Sequence, residues 1–363
     1  MRLIRISNLK PEMKLGRSIF AEDGRVLLQR GTTLTAAYIE TLKRYGYEVL
    51  YVQDPAVPMV ELREPISDRT RSEAIGSVRD AFRTFRTPNR KLDQDWTGRR
   101  ILYNAATSIV NDLVANKDLN LQLTEMRTQN SYLFAHSVNV CVLGLALGQK
   151  LQFNYNKLAD LAMGLLTHDI GKSLLPPESA TLHTHKDPVA DAGYQTHPRL
   201  GFDMLRQVGR ALGAPSKIVS LQHHERWDGL GFPSGLKGND IHEFAQIAAI
   251  VNAYDNLTHL TQENGEPFPP SEVIEFLMAA GGTLFNPQMV ETFIKMLVPY
   301  PLGSYVSLSN QAQGFVSGLD RTIPMRPIVR VVFEQEGVLL PQPYDLDLRE
   351  HSDVTVLSVR AHG

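Results

Sequence analysis

The sequence predicts a mostly α-helical fold: a helical-bundle core set between a small α+β module at the N-terminus and a small β-rich module at the C-terminus. Three observations predict it. Between about 121 and 300, apolar residues recur at three- and four-residue spacing, the period of helices that bury one face. Residues 1–53 carry hairpin signals, and 301–363 are short β-type runs broken by Gly, Pro, Asn and Asp.

In 1–53, "KLGRSIFA" and "RVLLQRG" flank Glu22-Asp23-Gly24, and Asp-Gly between such runs favours a hairpin. Thr35 is placed to cap a short helix carrying Tyr38, Leu42 and Tyr45 at i, i+4, i+7 spacing, which Gly46 can end. "YEVLYV" reads as a further strand. The three prolines of "DPAVPMVELREPI" mark a linker at 54–66. Helical stretches at about 67–86 and 97–117 complete a connector segment, 54–120, suited to joining module to core or to forming a homodimer. The core, 121–300, contains "LFAHSVNVCVLGLALGQKL", "YNKLADLAMGLLTHDIGK", "KIVSLQHHERW", "FAQIAAIVNAYDNLTHL" and "SEVIEFLMAAGG", each a helix or part of one. "SYVSLS", "GFVSGL", "PIVRVVFE" and "DVTVLSV" are the strands expected in 301–363.

Composition removes several classes of function. The net charge is −2 with no long basic run, so nucleic acid is not an expected partner. The single cysteine, Cys141, sits in an apolar run; it excludes a disulfide framework and is expected to be a buried hydrophobe in a reducing compartment. The N-terminus lacks the apolar stretch of about 7–15 residues that a signal peptide needs. No segment approaches the ~18 uninterrupted apolar residues of a membrane span, the longest candidate being 138–148. A cytoplasmic location is therefore expected.

The chemistry lies in the histidines. Of eleven, His136, His168, His197, His223 and His224 fall in the helical core, each beside a polar or acidic neighbour. Adjacent helical residues point about 100° apart, so His168-Asp169 does not grip one ion as an i, i+4 pair would. It suits an imidazole on one ion and a carboxylate reaching across to a second. His223-His224 pose the same geometry. Two cations about 3.5–4 Å apart form a recurrent site for phosphoester cleavage. Mixed His and carboxylate ligands suit iron, manganese or zinc better than magnesium or calcium, with iron or manganese expected. His183 and His185 read as loop residues, and His242 and His259 as structural or surface residues.

Several motifs in one order resemble the HD-GYP family of metal phosphohydrolases, over about residues 125–298. They are "FAHSVNV", "HDIGK", "THPRLGFDML", "HHERWDGLGFPSGLKGNDI" and "AIVNAYDNLT". More weakly, "LKPEMKLGRSIFAEDGRVLLQRGTTLT" is similar to a small domain often placed ahead of such domains, and "VSLSNQAQGFVSG" resembles a β-rich tail some members carry. The resemblance implies an HD-type bundle that hydrolyses cyclic di-GMP to pGpG and on to GMP through a hydroxide activated by two metals. It implies one ion on His136, His168, Asp169 and the residue at 252, and another on Asp169, His197, His223 and His224. Asp169 would bridge, Lys172 would reach a phosphate oxygen, and Asp228, Gly229, Gly231, Phe232 and Pro233 would shape the ligand-facing loop.

The sequence also departs from that pattern. Asn252 stands where the family has an aspartate ligand, which weakens the hold on a divalent ion. Asp255, three residues on, is a candidate substitute or a supporting carboxylate. Tyr132 replaces a glutamate that lets some members hold a third metal, so two ions are the most expected. Phe232 replaces the tyrosine of Gly-Tyr-Pro, and "HTHKDPVADAGYQ" lacks the family's usual polar character. The alternatives are a degenerate domain that binds nucleotide or a partner protein without turnover, and a hydrolase of another phosphoester.

Overall fold

The computed structural model describes residues 2–20, 26–45, 47, 49–53, 65–85, 97–116, 132–176, 192–208, 212–259, 268–300, 302–320, 323–334 and 339–360. At the N-terminus, β1 (Arg2–Arg5), β2 (Lys14–Leu15) and β5 (Val49–Gln53) form an antiparallel sheet with β5 in the middle. The register places Ile4 opposite Leu50 and Leu15 opposite Val52. The expected hairpin pairs β3 (Ile19–Phe20) with β4 (Val26–Leu28), while its Glu22-Asp23-Gly24 turn lies outside the described residues.

Helix α1 (Ala36–Arg44) packs on this sheet, and Thr35 caps it by accepting a hydrogen bond from the Tyr38 backbone N–H at 3.2 Å. The buried stripe differs from the expected one. Ile39 and Leu42 enter the core, whereas Tyr38 and Tyr45 are 42% and 55% exposed. The aliphatic i, i+3 pair fills the small core without a polar atom, and the tyrosines keep their hydroxyls at the surface. Gly46 is outside the described residues.

Helices α2 (Asp68–Phe85) and α3 (Thr97–Ala115) bury their apolar faces in the main core rather than standing apart from it. Ala74, Val78 and Phe82 of α2, with Leu102, Ile109 and Leu113 of α3, share one continuous hydrophobic cluster with the helices that follow. Arg17 of the N-terminal module reaches Asp68 of α2 at 3.0 Å.

The bundle continues with α4 (Tyr132–Lys150), α5 (Tyr155–Thr167), α6 (His197–Gln207), α7 (Ala214–Gln222), α8 (Glu243–His259), α9 (Pro270–Ala280) and α10 (Pro287–Ile294). Helix α4 is central: every residue from 135 to 148 is buried, as its almost unbroken apolar sequence requires. Cys141 is a free, buried thiol there, and burial pushes its pKa upward. No described helix is long and apolar enough to cross a membrane.

The C-terminal module is a five-stranded antiparallel sheet in the order β10-β6-β7-β8-β9. Its strands are β6 (Tyr305–Leu308), β7 (Gln313–Gly318), β8 (Ile328–Phe333), β9 (Leu339–Asp347) and β10 (Val356–Arg360). Val306, Leu308, Val316, Val329 and Val331 fill a core of its own.

Candidate metal centre

Four chain segments deliver the site. Helix α4 presents His136 near its start. Helix α5 ends at Thr167, so His168 and Asp169 emerge as the backbone leaves the helix for a 3-10 turn, Ile170–Leu174, that carries Lys172. Helix α6 begins at His197, and α7 ends at Gln222, just before His223 and His224.

The turn after Asp169 can lie against the start of α6 because residue 171 is glycine. A Cβ there would stand 1.9 Å from the His197 carbonyl oxygen and 2.7 Å from the Gly201 nitrogen. That close approach brings Asp169 beside His197, although 27 intervening residues separate them in the chain.

Asp169 divides its carboxylate between two sets of imidazoles. Oδ1 lies 3.3 Å from His197 Nε2 and 3.4 Å from His223 Nε2. Oδ2 lies 3.3 Å from His168 Nε2 and 3.6 Å from His136 Nε2. His224 joins the first set: the donor atoms of Asp169, His197, His223 and His224 all lie within 4.8 Å of one another, as do those of His136, His168 and Asp169.

The imidazoles are turned inward by what their other nitrogens do. Nδ1 of His168 faces the Leu165 carbonyl at 2.8 Å, that of His197 the Tyr194 carbonyl at 2.6 Å, and that of His223 the Ser220 carbonyl at 3.0 Å. A carbonyl only accepts, so each Nδ1 carries the proton and each Nε2 is left as a lone pair. The Nε2 atoms of His197 and His223 are 3.3 Å apart. Two lone pairs held that close need a cation between or beside them.

Buried atoms without a hydrogen-bond partner concentrate here and include His168 Nε2, Asp169 Oδ1 and His224 Nε2. In a native fold such orphans call for an unrepresented ion or water. The donor set, neutral nitrogens around one carboxylate, fits divalent transition metals.

Burial favours the ligating, neutral form of His136, His197, His223 and His224. It is the leading cause that holds His136 and His197 below the usual histidine range, takes His223 down to about 3, and places His224 well below the ordinary value. Burial opposes the charge on Asp169, but the Lys172 ammonium beside it outweighs this and holds the carboxyl well below the usual range. Burial likewise opposes the charge on Lys172, and Asp169 outweighs it, raising the ammonium's pKa. Lys172 Nζ donates to Asp169 Oδ2 at 2.6 Å and stands over the Tyr194 ring.

Asn252 is buried on α8, its amide oxygen accepting from Asn256 Nδ2 at 3.1 Å. Asp255 takes the supporting role and lies outside both groups of donor atoms: Oδ2 meets His136 Nδ1 at 2.7 Å and Oδ1 accepts from Asn139 Nδ2 at 2.9 Å. His136 is thereby oriented by a carboxylate, where His168, His197 and His223 use backbone carbonyls.

The loop after His224 forms one wall. Asp228 is bidentate with Arg226 and accepts from the Leu230 N–H, which folds the Gly229 turn on itself. Gly231 passes so close to His224 and Glu225 that a Cβ would stand 2.6 Å from the His224 carbonyl oxygen. The Phe232 ring stacks on His224, with centroids 4.8 Å apart and planes at 13°. Phe232-Pro233 is a cis peptide, and Pro233 is exposed.

Three residues had no site role in the sequence reading. Buried Glu225 accepts from the backbone N–H groups of Ser234 and Leu236 and so holds the loop. Tyr194 packs edge-on against His197 at 4.7 Å and stands under Lys172. Asn139 supports Asp255, and its position three residues after His136 was the available signal. His242 helps start α8 by accepting from the Phe244 N–H, a structural role as expected. His183 and His185 lie outside the described residues, as does the side chain of His259.

Known proteins match the chain over the same region. The model of the HD domain matches residues 110–289, and that of the KOW domain associated with HD domain matches 305–361. A cyclic di-GMP phosphodiesterase of Pseudomonas aeruginosa is 30% identical over 223 residues, covering 61% of this chain and 53% of that protein. A 3'3'-cGAMP-specific phosphodiesterase of Vibrio cholerae is 32% identical over 128 residues, covering 35% and 24%. A cyclic di-GMP phosphodiesterase of Thermotoga maritima is 25% identical over 174 residues, covering 48% and 46%. The chain thus spans about half or less of the length of these relatives. Among solved structures, an HDG"Y"P protein from Bdellovibrio bacteriovorus shares the fold with a TM-score of 0.51 and 20% identity, covering 81% of this chain and 98% of that one.

Proposed function

From a chain that belongs to the HD-domain family, we propose a metal-dependent phosphodiesterase that opens cyclic di-GMP to pGpG and onward to GMP. The observation that carries the reading is the split carboxylate of Asp169, whose two oxygens each face a separate set of inward-turned imidazoles. One divalent ion would be held by His136, His168 and Asp169 with Asn252, and the other by Asp169, His197, His223 and His224, with iron or manganese as the metals. When bound, the pair supplies an acidified water and positive charge for phosphoester cleavage. Lys172 keeps a cation beside the shared carboxylate, where a phosphoryl oxygen of the substrate would approach. Asp228, Gly229 and Gly231 shape the wall that Phe232 and Pro233 present to the dinucleotide. Phe232 braces His224 through its ring face, which needs no hydroxyl, so the loss of the family's tyrosine leaves this contact intact.

The test is direct. Protein loaded with Mn(II) or Fe(II) is incubated with cyclic di-GMP, and the products are separated by chromatography. Linear product is expected, with His168→Ala lowering the rate by at least about a hundredfold, the upper range for loss of even an outer partner of a metal ligand. Tight binding of the dinucleotide without turnover under either metal would instead favour a binding module. The missing aspartate at position 252 supports that second reading. Running 3'3'-cGAMP in parallel separates the two substrate classes represented among the relatives.

Asn252 makes the two halves unequal. The His136 side has one neutral amide where a carboxylate would add charge, so it is expected to hold its ion more weakly. Asn252→Asp is expected to raise the metal content per chain and the rate by several-fold, read by elemental analysis beside activity. A fall in both would mark the asparagine as a functional feature of this chain.

A further inference from the structure

We infer that Arg71 and Asn139 are positioning residues of the metal centre, a buried hydrogen-bonded chain that runs from α2 through Asp255 to the outer nitrogen of His136. Arg71 is 6% exposed and shares the inner face of α2 with Ala74 and Val78, at i, i+3 and i+7. A guanidinium interrupts an apolar stripe there, and a buried cation is costly unless it is hydrogen-bonded. It donates from one terminal nitrogen to Asn139 Oδ1 at 2.7 Å, across 68 positions of sequence. Asn139, fully buried on α4, donates from Nδ2 to Asp255 Oδ1 at 2.9 Å, and Asp255 Oδ2 meets His136 Nδ1 at 2.7 Å.

The order of donors explains why a cation stands at the far end. An amide has two faces of similar shape, one accepting and one donating. The guanidinium only donates, so it claims the Asn139 oxygen and leaves the amide nitrogen for Asp255. Without the cation the amide is free to turn and present its oxygen to the carboxylate, which repels it. Asp255 then loses a donor, and His136 loses a fixed partner. Outer partners of this kind set both the direction and the basicity of a ligating imidazole. The other three oriented imidazoles rest on backbone carbonyls, so His136 alone among them is set through side chains reaching back to α2. The same helix receives the N-terminal module through Arg17 and Asp68, one turn before Arg71.

The inference rests on the cluster holding metal, and the experiment keeps the two ideas apart. Chelated full-length protein is titrated with Mn(II), read by electron paramagnetic resonance, for the wild type, Arg71→Met, Asp255→Asn and the double variant. Apo-protein melting is recorded alongside. Replacing a whole buried ionic network by apolar side chains is often neutral or stabilising, whereas removing one member leaves the rest uncompensated and destabilises. A merely structural role would therefore show in melting, whereas a positioning role shows in metal affinity. The expected result is Mn(II) binding about tenfold weaker for one of two ions in Arg71→Met, alongside any fall in apo melting. In the Asp255→Asn background the same substitution is expected to cost nothing further, because the chain is already cut. Unchanged Mn(II) affinity in Arg71→Met, or an equal loss with and without Asp255, would overturn the inference while leaving the metal reading intact. No Mn(II) uptake by the wild type would overturn the metal reading and this inference with it. Should Arg71→Met fail to fold, Arg71→Lys is read in its place: its ammonium also only donates and can hold the Asn139 oxygen, so Mn(II) affinity close to wild type is expected, and a loss equal to that of Asp255→Asn would overturn the inference.

Discussion

Asp169→Asn is expected to cost more function than any other single substitution of similar shape. The variant keeps the side chain's volume but removes the charge that faces both sets of imidazoles. Its expected outcome is a loss of turnover beyond about a hundredfold, since even removing an outer partner of a ligand costs about 10–100-fold, together with loss of at least one ion per chain. A second effect compounds the first. Lys172 is 2% exposed and donates to Asp169 Oδ2 at 2.6 Å. Removing one partner of a buried ion pair typically costs about 3–5 kcal/mol, because the other charge is left uncompensated. The variant should therefore also melt at a lower temperature in its metal-free form. Elemental analysis, steady-state kinetics and calorimetry check the three consequences together. Retention of both ions and of a tenth of the rate would mean that the carboxylate does not bridge.

The second large effect comes from a residue with no side chain. In Gly171→Ala, the new methyl would meet the His197 carbonyl oxygen at 1.9 Å, its carbon at 2.8 Å and the Gly201 nitrogen at 2.7 Å. These are backbone atoms at the start of α6, and no rotamer change relieves the clash. Overpacking in a tight interior costs about 1–3 kcal/mol and sometimes more, and the upper end is expected here. The start of α6 must move away from Asp169 and take His197 with it, so metal affinity falls along with stability. Urea unfolding and metal titration measure the two. A wild-type midpoint together with wild-type Mn(II) uptake would show that the turn after Asp169 does not set the site.

Much of this site was legible in the chain because its signals are local. His168-Asp169 and His223-His224 are covalent neighbours, and adjacency at a helix end brings both donors of each pair into one set. The Thr35 cap, the strands that bracket the N-terminal helix and the C-terminal strand series rest on equally local rules of capping and alternation. The helical periodicity of 121–300 placed His136, His168, His197, His223 and His224 within the helical core.

Other features were not legible, for reasons that are physical. Asp255 read either as a stand-in ligand or as a supporting carboxylate. Only the 2.7 Å approach to His136 Nδ1, across 119 positions, decides between them. Arg71 on an otherwise amphipathic helix resembles any surface cation until Asn139 is seen beside it. Periodicity has no bearing on Tyr194, whose role depends on Lys172 and His197 arriving from two other segments.

By itself, then, the amino-acid order determined which residues offer ligating side chains, that they fall in the helical core, and that three differently patterned segments follow one another. Tertiary structure alone decided that α2 and α3 join the main core, that Asp169 points one oxygen at each set of imidazoles, and which polar group stands behind each ring. Pattern follows from backbone geometry within a few residues, whereas these contacts depend on close packing between helices far apart in the chain, where a shift of about one ångström changes the partner.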